Sequence, residues 1–175
     1  MRFILKGIIW LSDCIFHWKN HCILLPHCKN DYFYIQDTTY QGEEVTLEND
    51  IIVKKGDRIL ELHMNNQRMK QVNSVKQIVV AMKEMMEAFA ILLKEEKYQS
   101  VKAIYGNTLL SAITTRYGFE TMEAKETTKQ VSLWENLIRY AYGEKNKKVE
   151  NRVPVDIWFA RDNLLDRYGE KKGKA

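Results

Sequence analysis

The spacing of apolar residues divides the chain into segments with different predicted structures. In the first 18 residues nearly every position is apolar, which predicts a helix over residues 1–20. Arg2, Lys6, Asp13, His17 and Asn20 fall on one narrow stripe of that helix at 100° per residue. We expect the helix to pack against a sheet and to show only this stripe to water.

The same N-terminal helix has a second interpretation, at a membrane surface. Trp10 and Trp18 would lie at the level of the lipid headgroups, and the basic residues would face phosphate. This interpretation predicts peripheral membrane contact through residues 1–18. Arg2, Lys6 and Asp13 interrupt the apolar run, so neither a membrane span nor a secretory signal is expected.

Short alternating runs follow between residues 30 and 65. Runs at residues 32–35, 44–47, 51–53 and 58–64 predict strands, and the polar turns between them contain Gly42, Asn49 and Gly56. Strands joined by tight turns are typical of an antiparallel meander.

Beyond residue 73 the pattern alternates between helices and strands. Asn73-Ser74 is a predicted N-cap for a helix that runs to about Lys97, with Met82, Met85 and Met86 packed in the core. Strands are predicted at residues 101–105, 119–124 and 153–159. Helices are predicted from Gly106-Asn107 to a C-cap at Gly118, at residues 132–142 and at residues 161–168.

This order of elements predicts one α/β domain over residues 1–175. Its central sheet should be mixed but mostly antiparallel and flanked by helices, with a charged loop at residues 143–152 and a flexible basic tail at residues 169–175.

Composition excludes several classes of protein. Hydrophobic residues make up 45% of the chain, which excludes intrinsic disorder. The net charge of +4 comes largely from the 144–152 loop and the tail, so no nucleic-acid partner is expected. Three cysteines, an odd number, argue against a disulfide framework and favour the cytoplasm, with a peripheral position at the inner membrane face as the second possibility.

Two groups of motifs resemble the YkoP-like family of uncharacterised bacterial proteins. The residues are Lys55-Gly56-Asp57, Glu61-Leu62-His63 and Asn66, continued by Ala103-Ile104-Tyr105-Gly106-Asn107 and Arg116-Tyr117-Gly118-Phe119. Members of this family occur alone or attached to polysaccharide deacetylase domains. The resemblance implies a non-catalytic accessory or binding protein associated with the cell envelope, with an unknown protein or small molecule as its partner.

The order of strands and helices is also similar to that of GCN5-related N-acetyltransferases. That similarity implies an acyl-CoA-dependent N-acyltransferase as the alternative function. Those enzymes hold the cofactor pyrophosphate on a glycine-rich turn before the long helix. The corresponding residues 66–73 contain no glycine, so this chain would have a degenerate cofactor-binding turn.

Glu61, His63 and Asn66 are the candidate catalytic residues. Glu61 and His63 lie two positions apart, so on a strand they point to the same face, and Asn66 follows the strand end. A carboxylate that orients and charges an imidazole is a known acid–base arrangement. The alternative is that His63 bonds to a neighbouring strand or loop and only fixes local geometry.

A second candidate site gathers cysteine and histidine near the amino terminus. Potential zinc ligands are Cys14, His17, His21, Cys22, His27 and Cys28. The spacing matches no standard zinc finger, although Cys14, His17 and His21 would share one face of a helix that reached residue 21. The alternative is that the cysteines are small buried hydrophobic residues.

Overall fold

In the computed structural model of the chain, the structure describes residues 2–65, 68, 72, 74–108, 111–123 and 154–169. The helix predicted at residues 132–142, the charged loop at 143–152, the tail from residue 170 onward and Asn66 lie outside the described residues.

A six-stranded sheet forms the centre of the fold. Its strands are β1 (Ile23–Leu24), β2 (Phe33–Thr39), β5 (Arg58–Met64), β6 (Ala103–Thr108), β7 (Glu120–Glu123) and β8 (Val155–Ala160). They lie in the order β1-β2-β5-β6-β8-β7. The β5–β6 pair is parallel and the other four pairs are antiparallel. The predicted α/β class with a mixed, mostly antiparallel sheet is therefore confirmed.

Four helices accompany the sheet in the part of the chain that the structure describes: α1 (Arg2–Lys19), α2 (Val75–Leu92), α3 (Ser111–Thr114) and α4 (Arg161–Tyr168). The Ser74 side chain caps α2 by accepting a hydrogen bond from the Gln77 backbone N–H at 3.3 Å. Helix α2 ends at Leu92 and not near Lys97 as predicted. The charged run at residues 94–97 explains the earlier end, because it gives the helix no apolar side chain to bury.

The main core lies between one face of the sheet and the helices α2 and α4. The sheet contributes Leu60, Ile104, Ile157 and Phe159 to this core, and the helices contribute Met82, Met85, Met86, Phe89 and Leu164. Met85 and Met86 have no exposed surface, which confirms that the methionines predicted at helical spacing pack in the core.

A hairpin covers part of the opposite face of the sheet. Its strands, β3 (Val45–Leu47) and β4 (Ile51–Val53), pair only with each other among the described strands. A second buried cluster forms beneath it from Leu47, Val53, Ile59, Ala103, Trp158 and Ala160. The predicted meander is wrong at this point, because β2 pairs directly with β5 and the hairpin folds over the sheet.

The helix predicted to open at Gly106-Asn107 begins later. Gly106, Asn107 and Thr108 continue β6 because each of them pairs with β8, so the helix start predicted at Gly106-Asn107 is wrong. The predicted cap at Gly118 is confirmed, with φ of +98° in the left-handed region.

Helix α1 is present as predicted, but its orientation is the reverse of the expected one. His17, on the polar stripe, packs on Tyr34 with ring centroids 4.2 Å apart, and the Phe16 ring lies 5.2 Å from that of His63. Ile8 and Leu11 are 52% and 54% exposed. The expectation that only the stripe faces water is wrong, because α1 contacts the polar face of the sheet and the apolar core lies on the other face. Within the described part of the chain, no helix is long and apolar enough to cross a bilayer.

Candidate functional site

Between α1 and the β3–β4 hairpin, the uncovered face of the sheet carries polar side chains on four adjacent strands. Gln36 of β2 lies opposite Glu61 of β5, and Glu61 lies beside Tyr105 of β6. Asn107 of β6 lies opposite Asp156 of β8. Since side chains alternate between the faces of a strand, these residues share one face, which we call the Glu61 face.

Asp156 organises the far side of the Glu61 face. Its Oδ1 atom accepts a hydrogen bond from the Tyr105 hydroxyl at 3.0 Å and another from the Asn107 side-chain amide at 2.9 Å. The Tyr105 ring packs against the Trp158 ring, with centroids 4.6 Å apart. Burial and the neighbouring Asp156 carboxylate raise the pKa of Tyr105, so its hydroxyl stays protonated and remains a donor.

Glu61 lies at the centre of the same face. Its side chain is 32% exposed. Burial raises the pKa of its carboxyl, and the negative charge of Asp156 raises it further. Because burial and the charge of Asp156 disfavour ionisation of Glu61, a cation placed beside Glu61 would favour its ionised form.

His63 is held in its neutral form. Burial lowers its pKa to about 4, with a smaller contribution from His17. Its Nε2 atom lies 3.8 Å from Glu61 Oε1, too far for a hydrogen bond, and is buried without a hydrogen-bond partner in the described structure. The expectation that Glu61 and His63 point to one face is confirmed. Burial keeps the imidazole neutral, so the structure does not support a charged His63 beside Glu61, and the catalytic role of Glu61 and His63 stays a prediction.

The two parallel strands stop pairing next to this site. Their register begins at Ile59 with Ala103 and ends at Leu62 with Gly106, although β5 continues to Met64 and β6 to Thr108. A Cβ on Gly106 would lie 3.2 Å from the Leu62 carbonyl oxygen, so glycine allows the close approach just before the strands part.

The six candidate zinc ligands are spread over α1 and the segment that follows. Cys14 and His21 are exposed, and His17 packs against Tyr34. His27 Nε2 lies 2.6 Å from Oε1 of Glu95, which follows the end of α2. Cys28 packs against the main core. Among the described residues no three His, Cys, Asp or Glu side chains are grouped to hold a metal ion, so zinc binding stays a prediction that the geometry does not support.

Tyr105, Asn107 and Asp156 are site residues that were not predicted from the sequence. Two signals were present. Tyr105 and Asn107 lie two positions apart, so on a strand they point to the same face, and Asp156 interrupts an otherwise apolar strand. An aspartate inside such a strand requires a polar partner or a functional role.

An open hollow of about 630 Å³ lies away from the Glu61 face, at the other end of β7. Its lining includes Asn49, Gly118, Glu120 and Asn163. The Asn49 amide donates to the Asn163 side-chain oxygen at 2.8 Å, which closes the hairpin turn onto α4. We interpret the hollow as the seam between these two elements.

Comparison with known proteins now identifies the family. The model of the YkoP domain matches residues 3–168. The chain belongs to the YkoP family. Uncharacterized protein YkoP of Bacillus subtilis (strain 168) is 23% identical over 124 residues, which cover 65% of this chain and 68% of that protein. No solved structure matches, and nothing found in these comparisons supports the acetyltransferase similarity.

The match to the YkoP domain extends over most of the described structure. It includes α1, the Glu61 face and α4, whereas the motifs that carry the resemblance in sequence lie mainly between residues 55 and 119. The matched residues therefore include nearly all of the N-terminal helix.

Proposed function

We propose that this YkoP-family chain is a non-catalytic accessory protein that binds a small molecule carrying a positively charged amine on the Glu61 face, in a process of the cell envelope. The observation that carries the proposal is the placement of Glu61 and Asp156 on one uncovered sheet face, with Tyr105 between their strands. His63 is neutral at pH 7 and adds no positive charge that would compete with an amine.

An ammonium group fits this face on three physical grounds. The carboxyl oxygens of Glu61 and Asp156 can accept hydrogen bonds from an ammonium group. Its positive charge would also offset the repulsion between the two carboxylates. A hydrogen bond between an ammonium and a carboxylate is about twice as strong as a neutral one. The half-buried aromatic ring of Tyr105 offers a surface for cation–π contact.

The second candidate is acyl-CoA-dependent acyl transfer to that amine. The end of β5–β6 pairing after Leu62 and Gly106 favours it, because two parallel strands that stop pairing beside the Glu61 face leave their backbone groups there free of each other. In that case Glu61, whose pKa is raised, would be the candidate general base, with His63 3.8 Å away. Asn66 stays a predicted member of this site. The glycine-free segment at residues 66–73 counts against this candidate.

A matched pair of ligands tests the binding proposal. Glucosamine and N-acetylglucosamine differ in the ammonium group, so titration calorimetry should detect glucosamine and not its acetylated form. In Glu61→Gln we expect at least a tenfold loss of affinity, since a hydrogen bond to a charged group contributes about 1.5–3 kcal/mol. Glu44→Gln, an exposed carboxylate away from the face, is the matched control and should change nothing.

Three outcomes would count against binding of an amine by Glu61. These are equal binding heats from the two sugars, an unchanged affinity for glucosamine in Glu61→Gln, and no measurable heat from either glucosamine or a simple diamine. A binding heat from acetyl-CoA together with formation of the acetylated amine would instead support acyl transfer as the function. Affinity for the amine should fall as the pH is lowered, because a raised pKa leaves Glu61 neutral sooner in acid.

The proposal places the chain in the cytoplasm. Cys14, Cys22 and Cys28 are all free thiols, as a reducing compartment allows. Burial, with a contribution from Glu61, raises the pKa of Cys22 to about 11, so this thiol is unreactive at neutral pH.

A further inference from the structure

The side of α1 that faces away from the sheet is apolar along its length. Ile8, Leu11, Ile15 and Trp18 fall within an arc of about 80° at 100° per residue. Their exposed fractions are 52%, 54%, 52% and 81%. Neither buried cluster includes a side chain of α1 among the described residues. We call these four side chains the α1 strip.

Contacts on the opposite side of the helix hold the α1 strip outward. Phe16 meets the His63 ring and His17 meets the Tyr34 ring, both on the polar face of the sheet. At the end of the helix, the Cys22 backbone N–H donates to the His17 carbonyl at 2.9 Å, which fixes the turn into β1. The strip therefore remains exposed without any rearrangement of the fold.

The charge of α1 is positive. The helix contains Arg2, Lys6 and Lys19 against the single acid Asp13, a net charge of 3 − 1 = +2. Asp13 lies on the sheet side, where its charge acts on the pKa of His17. The α1 strip consequently has no carboxylate of its own helix beside it.

We propose that the α1 strip docks on an anionic lipid bilayer, with α1 lying in the plane of the interface. A helix of this length is about 27 Å long. An apolar strip on a helix of positive net charge is the pattern of interfacial helices, and here Lys19 borders the strip while Arg2 and Lys6 fall on the stripe with Asp13. Trp10 and Trp18 are 51% and 81% exposed, and their indole rings suit the headgroup level. The docking surface is distinct from the Glu61 face, and its occupant is the lipid.

Charge decides between a bilayer and a second copy of the chain as the occupant. Two copies joined through the α1 strip would bring two helices of charge +2 together, whereas anionic headgroups neutralise them. Docking would also set the orientation of the molecule. Because α1 contacts β2 and β5 on the Glu61 face, that face would lie close to the headgroups.

Vesicle co-sedimentation of the full chain tests the inference. We expect binding to vesicles of phosphatidylglycerol and phosphatidylcholine, weaker binding to phosphatidylcholine alone, and a decrease with ionic strength. The double variant Leu11→Glu with Ile15→Glu should lose at least about tenfold in affinity, because two apolar side chains no longer enter the lipid. Val75→Glu, at a position 72% exposed on α2, is the matched control and should bind as the parent does.

Circular dichroism of the double variant shows whether it is folded, and it should be, since the strip contributes to neither core. Unchanged vesicle binding by the folded double variant would overturn the inference, as would absence of binding to anionic vesicles at low ionic strength. Dimerisation without lipid that the double variant abolishes would assign the strip to a second copy. Binding of glucosamine is unaffected by each of these outcomes, so the two proposals fail independently.

Discussion

His63 carries a charge state that its position in the fold imposes. The imidazole lies under α1 between Phe16 and Glu61, and its pKa is about 4 compared with the ordinary value of 6.5. The unfolded chain therefore binds a proton between these values that the folded chain does not. His17, whose pKa burial also lowers, acts in the same direction.

Acidification should consequently weaken the fold. As the pH falls from 6.5 towards 4, we expect the free energy of unfolding to decrease, with a slope of at most about 1.4 kcal/mol per pH unit from His63. Denaturant unfolding at a series of pH values measures the slope, and His63→Asn should reduce it. His21→Asn, at an exposed site with φ of 51°, is the control. Equal slopes in the parent and in His63→Asn would contradict the neutral buried imidazole.

Gly118 is a second residue whose identity the backbone dictates. Its φ is +98°, and an added Cβ would lie 2.9 Å from Cζ of Phe159, which is buried. Gly118→Ala should therefore destabilise the protein by about 1–3 kcal/mol in denaturant unfolding. Gly7→Ala in α1, where nothing lies within 4 Å of the new methyl group, should be neutral or slightly stabilising. Equal losses in the two variants would show that the Gly118 backbone relaxes.

At the scale of elements, local patterns predict those parts of the fold that depend on neighbours in sequence. The period-two alternation placed β5 correctly and put Glu61 and His63 on one face. The predicted cap at Ser74 and the apolar spacing after it placed the start of α2. These features arise from the side chains and backbone of the segment itself.

Long-range pairing explains what the sequence did not predict. Tyr105 and Asp156 meet only because β6 and β8 are neighbours, although they lie 51 positions apart. The orientation of α1 was wrong for the same reason. The width of an apolar face is readable from the sequence, but which side of a helix meets a sheet depends on the surface of that sheet.

The N-cap of α2 provides a prediction for one element. Ser74→Ala removes the acceptor for the Gln77 backbone N–H, and we expect a loss of about 1 kcal/mol in thermal or denaturant unfolding. Ser74→Asp keeps an acceptor at that position and should retain the stability of the parent. If both variants lost the same amount, the cap would not be the cause.

At the scale of the whole molecule, the sheet separates two environments. One face holds the main core with α2 and α4, and the other holds the second cluster, the Glu61 face and α1. Both faces depend on β8, which pairs with β6 on one side and β7 on the other. Trp158 and Phe159 of β8 point to opposite faces, and each is buried.

A chain that ends before β8 should therefore fail to fold. Truncation after residue 152 removes Ile157 and Phe159 from the main core and Trp158 from the second cluster. We expect such a chain to aggregate and to lack a cooperative unfolding transition, since β6 becomes an unpaired edge. A chain that ends after Gly169 keeps every described element and is the control. A soluble, cooperatively unfolding product of the first truncation would contradict this role of β8.

The position of β8 also bears on how the protein is made. A ribosome releases β1, β2, β5, β6 and β7 before β8, yet β8 belongs between two of them. Until residues 155–160 emerge, the nascent chain presents an open gap in its sheet and an apolar surface on both faces. During this interval the chain is most exposed to misassociation, and its folding must wait until β8 has been translated.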